Sequence, residues 1–478
     1  MIAIRRGWFH LASGAGVGRV LGFTSNLLLS RWLGPTELGL FNLVCTSVQT
    51  SETLVRCGGD YALNFELGCN PEASNTQRGV DLARGFAQLC SLMTALMCVA
   101  LLIWIWWGHG LFPISLATGR RLTLTCILIV MVACEGISAS AWEILLVSHR
   151  TAPLALRQGF FFPVRLLFAA FGASFGGVLG AMLGWSLVAL FQCIWLKTVL
   201  RHLWCPLNVW PVLSGSLTEL FKRGFPFYIT NLLASLTFYP MLLKVASASG
   251  LSEIGYLRVG QILQQLFAFL PATLVPVLFL KLRAESTFAD QVSIIEKPLR
   301  FIWFLLLEIL LLYCVVDYFL IDWVFGGSYL SALLPTRLLL VTSLVECLAQ
   351  LVVQPILATG QTRAYGFWQN GAAILAACLG WLWIPSTGLA AYLIVRLLYV
   401  IVPLIGFGAS VVRKLQEPSK LFPLAVVSIG LLVIILAQNL QSIDLVQIPY
   451  VFVFLSILLA YLQRYEILYL KQLVGGSG

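Results

Sequence analysis

The residues of this chain that could do chemistry are charges and amides set inside long apolar runs. Arg19 lies near the middle of the first run, where Gly16, Arg19, Phe23, Asn26 and Ser30 share one helical face. In the second run Asn42, Thr46, Gln49, Thr53 and Arg56 form one stripe, with Glu52 beside it. Arg165 follows Gln158 by seven residues in the fifth run, and Lys244 stands near the outer end of the seventh. Arg258, Gln261 and Gln265 share a side of the eighth, and Glu346, Gln350 and Gln354 recur along the tenth. A charge at the centre of a membrane helix costs roughly 2.5–3.5 kcal/mol on insertion scales. A lipid-facing helix cannot carry such stripes, so they face protein or water. The expected site is a wet, net cationic cavity. Arg19, Arg56, Arg165, Arg258 and Lys244 supply its charge, and Asn26, Asn42, Gln49, Gln261 and Gln265 its polar lining. Glu52 and Glu346 are the acids able to respond to a coupling proton or Na+.

Each of these residues has a plainer reading. An intramembrane Arg can lock two helices by pairing with an acid, and Glu52, Glu135 and Glu143 are the available partners for Arg19 and Arg165. Arg258 and Lys244 sit near the outer interface, where long side chains reach for headgroups. The amides can be interhelical glue. Glu308 and Asp317 have no partner that spacing identifies.

The elements that must position these groups follow from composition. The chain has 478 residues, is 59% hydrophobic and only 10% charged, and its mean hydropathy is +0.92. A soluble domain carries about 25% charge, so this is an all-α polytopic membrane protein. Fourteen apolar spans are expected. They lie near 8–32, 38–57, 84–107, 122–147, 153–175, 178–200, 224–246, 253–280, 299–324, 333–358, 364–384, 387–411, 421–439 and 446–463. With both ends in the cytoplasm, 20 of the 30 Lys and Arg fall on the inner side, as the positive-inside rule requires. The net charge of +10 is thereby explained without nucleic acid. Met1–Arg6 is basic, but a full-length span without a cleavage site follows it, so a removable signal is not expected.

Enzyme signatures are missing from the sequence: there is no G-x-S-x-G, H-E-x-x-H or Walker loop. The 12 cysteines form no C-x-x-C and read as small core residues. Neither a metal nor a cofactor is expected.

One hairpin signature occurs twice. Gly34-Pro35-Thr36-Glu37-Leu38-Gly39 and Gly250-Leu251-Ser252-Glu253-Ile254-Gly255 both read G-x-x-E-[Leu/Ile]-G, at an offset of 216. Gln49 and Gln265 keep that offset. Six spans separate the copies, so both enter the membrane in the same direction and the repeats are parallel. The expected organisation is a six-helix lobe at 1–203, a cytoplasmic linker at 204–222, a second six-helix lobe at 223–412, and two further helices with a tail at 413–478. At the same offset Arg19 faces Ser235 and Arg56 faces Ala272, so the scaffold is doubled but this buried charge is not.

The stretch Gly18-Arg19-Val20-Leu21-Gly22-Phe23, with Leu28-Leu29-Ser30-Arg31-Trp32-Leu33-Gly34-Pro35-Thr36-Glu37-Leu38-Gly39-Leu40-Phe41, resembles the opening of Wzx-type O-antigen and exopolysaccharide flippases. Their superfamily also holds lipid II flippases and MATE antiporters. The resemblance implies two six-helix lobes around a V-shaped cavity in a bacterial inner membrane. It implies movement of a polyprenyl-diphosphate-linked glycan between leaflets, among membrane lipids and other polysaccharide-assembly proteins. Arg19 matches a basic position of the lipid II flippases, whereas Ser25 stands where they have a second one, followed by Asn26. That departure points to a lipid-linked glycan other than lipid II. The last two spans match the position of a lipid-tail groove in those flippases. The alternatives are a multidrug or small-solute antiporter on the same fold, which would want an acidic cavity, and a membrane-embedded glycan polymerase or ligase, which would want a large outer loop.

Overall fold

A computed structural model describes residues 2–67, 76–106, 118–148, 151–200 and 215–415, apart from several positions between 269 and 286. Among them every extended element is helical: α1 (Ile2–Arg56), α2 (Gly59–Leu67), α3 (Gln77–Trp106), α4 (Thr118–Val147), α5 (Thr151–Leu156), a π-helical turn (Arg157–Phe161), α6 (Phe162–Val199), α7 (Gly215–Ser249), α8 (Leu251–Phe267), α9 (Phe288–Val324), a 3-10 turn (Gly327–Ala332), α10 (Leu333–Val352), α11 (Gln354–Ala358), α12 (Thr362–Thr387) and α13 (Leu389–Leu415). Hydrocarbon offers no partner for a bare N–H or C=O, so apolar runs of this length satisfy their backbones as helices. Eight described helical segments are long and apolar enough to cross a membrane. Of the first twelve expected spans, eleven fall on helices over their described residues, and the eighth does so as far as Phe267, with most of 269–280 outside the described residues. The spans near 421–439 and 446–463 lie outside the described residues.

Two helices each hold two expected spans, and both are broken at glycine. In α1 the break is Gly34, at φ 67 and ψ 173. The chain must turn back there. Arg258 hydrogen-bonds Asn26 and lies within electrostatic reach of Cys45, yet a straight helix would hold positions 26 and 45 about 28 Å apart. In α6 the break is Gly176-Gly177, with Gly177 at φ 57. Beyond it Gly172 and Gly180 press against one another's backbones with no room for a Cβ on either. Small residues let membrane helices approach this closely.

The chain divides into two compact units. One comprises Met1–Arg258 with Ala377–Tyr392, and the other Val259–Ala376 with Leu393–Gly478.

The first unit is built on α1. Its core includes Val55, Leu63, Phe86, Trp142, Leu145 and Phe161. Gly58 and Gly224 meet backbone to backbone, Tyr61 stacks on Phe227 at 4.4 Å, and Ser47 shares a 2.7 Å hydrogen bond with Tyr239. These contacts seat α7 against the second half of α1 and against α2. Phe171 and Phe175 are 62% and 79% exposed on the outside of α6, which suits contact with lipid tails.

The second unit centres on α9 and α10. Asp317, which spacing leaves without a partner, is 2% exposed and forms an ion pair with Arg337. Gln369 donates to Tyr399 at 2.7 Å, and Tyr365 stacks on Phe407. Thr287 caps α9 by accepting the Asp290 N–H.

The twin hairpin acquires a physical meaning in the first unit. A Cβ on Gly39 would strike the Leu251 carbonyl, and one on Gly255 would strike the Pro35 carbonyl. Gly39 and Gly255 are separated by 216, as are Pro35 and Leu251. The contact is therefore reciprocal, each signature receiving the other's last glycine, as across a two-fold axis. Glu37 explains the acid of the first copy. Its Oε1 accepts from Arg120 at 2.5 Å, and its Oε2 accepts the Val178 N–H at 3.1 Å, just past the Gly176-Gly177 break.

Candidate functional site

Local bonding disposes of part of the polar stripe. The Thr46 and Thr53 hydroxyls donate to the carbonyls of Asn42 and Gln49 one turn back. Ser25 and Ser47 do likewise to Leu21 and Leu43. These hydroxyls need no water, so their presence in a span says nothing about a cavity. The charges and amides carry the argument instead.

Where the end of α1 meets α2, α4 and the π-helical turn, several of them lie within electrostatic reach of one another. Arg56 donates to Glu143 at 2.8 Å and to Glu52 at 2.5 Å, and Asp60 lies 3.7 Å from it. Asn64 donates to the other Glu143 oxygen at 3.3 Å. Arg157 reaches Glu52 at 3.8 Å and lies over the Trp142 ring at 5.0 Å, a cation–π contact. Arg165 pairs with Glu135, bonds the Gln192 amide oxygen, and faces Trp185 at 5.2 Å. The π-helical turn starts at Arg157 and ends at Phe161, four residues before Arg165, and such turns are frequent at functional sites. Three arginines thus meet four carboxylates. Arg56 and Arg165 are neutralised by acids in this arrangement.

A second cluster lies nearer the twin hairpin and has the opposite balance. Arg258 is 6% exposed, and its Nη2 donates to Asn26 Oδ1 at 3.1 Å. The Asn26 amide nitrogen is itself committed to the Gly22 carbonyl. Among the described residues no carboxylate pairs with Arg258, and its buried Nε has no acceptor. Asn42, 1% exposed, also buries an Nδ2 without acceptor. Asn42 and Arg258 stand at the same offset of 216, each three residues beyond its signature's last glycine. The Cys45 thiol lies within electrostatic reach of Arg258 and Arg165.

The remaining expected residues are placed separately. Arg19 is half-buried on α1. Lys244 donates to the Trp381 carbonyl at 3.0 Å, with its ammonium 3.8 Å from that ring. Gln49 is exposed. Gln261, Gln265 and Glu346 belong to the second unit, where all three are half-buried and Glu346 accepts from Gln350 at 3.3 Å. Asp60 and Arg157 were not singled out by sequence. Asp60 had a signal, since it lies four residues after Arg56; Arg157 had none beyond its charge.

No family model matches the chain, and no curated protein matches it. Solved structures do. The lipid II flippase MurJ in an inward closed conformation superposes with a TM-score of 0.69 at 12% identity, over 97% of this chain and 99% of that one. An inward-facing multidrug resistance MATE transporter of the MOP superfamily gives 0.61 at 14% identity, over 84% of this chain and 96% of that one. A MOP superfamily transporter from Pyrococcus furiosus, whose reverse binding-pocket polarity suggests a different function, gives 0.59 at 13% identity, over 86% and 96%. The chain has the fold shared by the MurJ flippase and MATE transporters. It is an integral membrane protein of that architecture.

Proposed function

We propose that this protein carries a polyprenyl-diphosphate-linked oligosaccharide from the inner to the outer leaflet of a bacterial plasma membrane by alternating access, for cell-surface polysaccharide assembly. Its termini lie in the cytoplasm, and its two six-helix halves rock about the repeat axis. The observation that carries this reading is Arg258. A guanidinium buried without a counter-ion is costly, and each buried donor without an acceptor adds to the cost. An anionic head group bearing several acceptor oxygens relieves both, and the planar fork of Arg suits a diphosphate. Asn42 adds a second donor, and Arg19, on the same α1 face as Asn26, extends the cationic surface. Gln49 is assigned to sugar hydroxyls. The lipid tail stays in the bilayer while the head crosses.

The experiment is accumulation of the lipid-linked glycan in cells lacking the protein. Wild type should clear it. Arg258→Ala, inserted at normal levels, should clear it roughly 10- to 100-fold more slowly, the worth of one or two charge-assisted bonds. Arg258→Lys keeps the charge but loses the fork and should fall between. Clearance by Arg258→Ala at the wild-type rate overturns the proposal.

The acid-rich network where α1 meets α2 and α4 favours a second reading, a multidrug or small-solute antiporter, because an excess of carboxylate suits cationic solutes. The MOP transporter with reversed pocket polarity illustrates that one fold can serve either sign of charge.

A further inference from the structure

We propose that the junction of α1, α2 and α4 in the first unit binds one exchangeable proton, held between the Asp60 and Glu143 carboxyls with Asp60 as its seat. The proton site stands on the network itself; only its use as the coupling ion rests on the transport reading above.

Charge balance gives the first reason. Arg56, Arg157 and Arg165 face Glu52, Asp60, Glu135 and Glu143, so with every group ionised the network carries one surplus negative charge. Such a surplus is expensive away from water, and a carboxyl sheds it by taking a proton.

Geometry then selects the carboxyl. Glu52 and Glu143 make close hydrogen bonds to Arg56, and Glu143 gains a second from Asn64. Asp60 stands furthest from Arg56, at 3.7 Å. Its side chain is 15% exposed, and its Oδ1 is shut away from solvent with no hydrogen-bond partner. Of the three acids around Arg56 it is the one that gains least from being charged.

Other groups around it do not reverse this. From α1 come Glu52, Arg56 and the Cys57 thiol; from α2 its neighbour Tyr61; from α3 the Cys90 thiol; and from α4 Glu143. Arg157 acts from the π-helical turn, and α7 presents Phe227 and Asn231 against Tyr61. Arg56 and the N–H groups at the start of α2 favour the charged form. Burial and then Glu143 oppose them and push Asp60 up to about 6. A metal cation in this place would sit against a guanidinium, without the shell of oxygens it requires.

The sign of the linkage follows. Folded Asp60 holds its proton more tightly than the unfolded chain, whose ordinary value is 3.8. Its contribution to stability is complete below 3.8 and is lost as pH rises through about 6. In a transporter this places proton loading and release within the range a bacterial cytoplasm and its surroundings span.

The test is an infrared titration of the purified full-length protein in lipid nanodiscs, following the carbonyl stretch of protonated carboxyl groups. Wild type should show a component with a midpoint near 6, apart from surface carboxyls that titrate near 4. Asp60→Asn should lose it, and Asp81→Asn, a change on α3 outside the network, should keep it. Glu143→Gln equalises the charge count and should lower the midpoint by about one unit or more, a tenfold loss of proton affinity. That variant serves also if Asp60→Asn fails to fold. Absence of the component from wild type, or its survival unchanged in Asp60→Asn or Glu143→Gln, overturns the site. The reading is independent of cargo, so a failure of glycan clearance leaves it standing, and the reverse holds too.

Discussion

Arg165 and Arg258 are both buried guanidiniums of the first unit, yet they stand in opposite positions energetically. Arg165 has Glu135, Gln192 and the Trp185 face, so its charge is spent inside the protein. Removing its acid should expose the cost of that burial. Glu135→Gln is expected to destabilise the unit by about 3–5 kcal/mol, the loss typical when one partner of a buried pair is removed. Thermal unfolding in detergent would read this, and a change below about 1 kcal/mol would show the pair to be solvated. Among the described residues Arg258 has Asn26 as its hydrogen-bond partner and no carboxylate. Arg258→Ala should accordingly cost activity much more than folding. Lys244 is tied to Trp381 by both a hydrogen bond and a ring contact and so anchors α7 to the segment that carries Trp381.

At the scale of the element, the twin hairpin does more than mark a duplication. Its last glycines allow two backbones to touch, and its first acid ties the hairpin to α4 and to the break in α6. Gly39→Ala and Gly255→Ala should each be disruptive, because the added methyl meets a carbonyl rather than a flexible side chain. Overpacking of this kind costs about 1–3 kcal/mol or more, read as a lower unfolding temperature. The equivalence of the two positions predicts similar losses, and a variant pair differing severalfold in effect would deny the reciprocal contact. The Glu37–Arg120 pair is about one-third exposed on both sides and contributes little by itself. The stronger tie is the Val178 N–H, which the break in α6 leaves without a helical partner. The second copy keeps the acid as Glu253, but among the described residues its side chain makes no ion pair or hydrogen bond like those of Glu37.

For the whole molecule, the fold is that shared by MurJ and MATE transporters. Cells lacking the protein should accumulate a lipid-linked glycan and keep normal sensitivity to cationic drugs; the reverse pattern would favour the antiporter and give the acid network, rather than Arg258, the central place. Much of the architecture was legible in the sequence. The bilayer is a uniform solvent that forces apolar runs of about 20 residues into helices, so span positions are local properties, and a doubled motif survives as spacing. The Arg56–Glu52 pair was legible too, being one helical turn apart. The partners of the other buried charges were not, because they come from residues far along the chain. Glu143 reaches Arg56 across 87 positions, and Asn26 reaches Arg258 across 232. The sequence by itself determined that charge is buried in this membrane protein and on which helices it rides. Only the tertiary structure decided which of the described arginines meet carboxylates, and that Arg258 meets an amide instead, because pairing depends on distance in space, and helical period fixes distance only within a few turns.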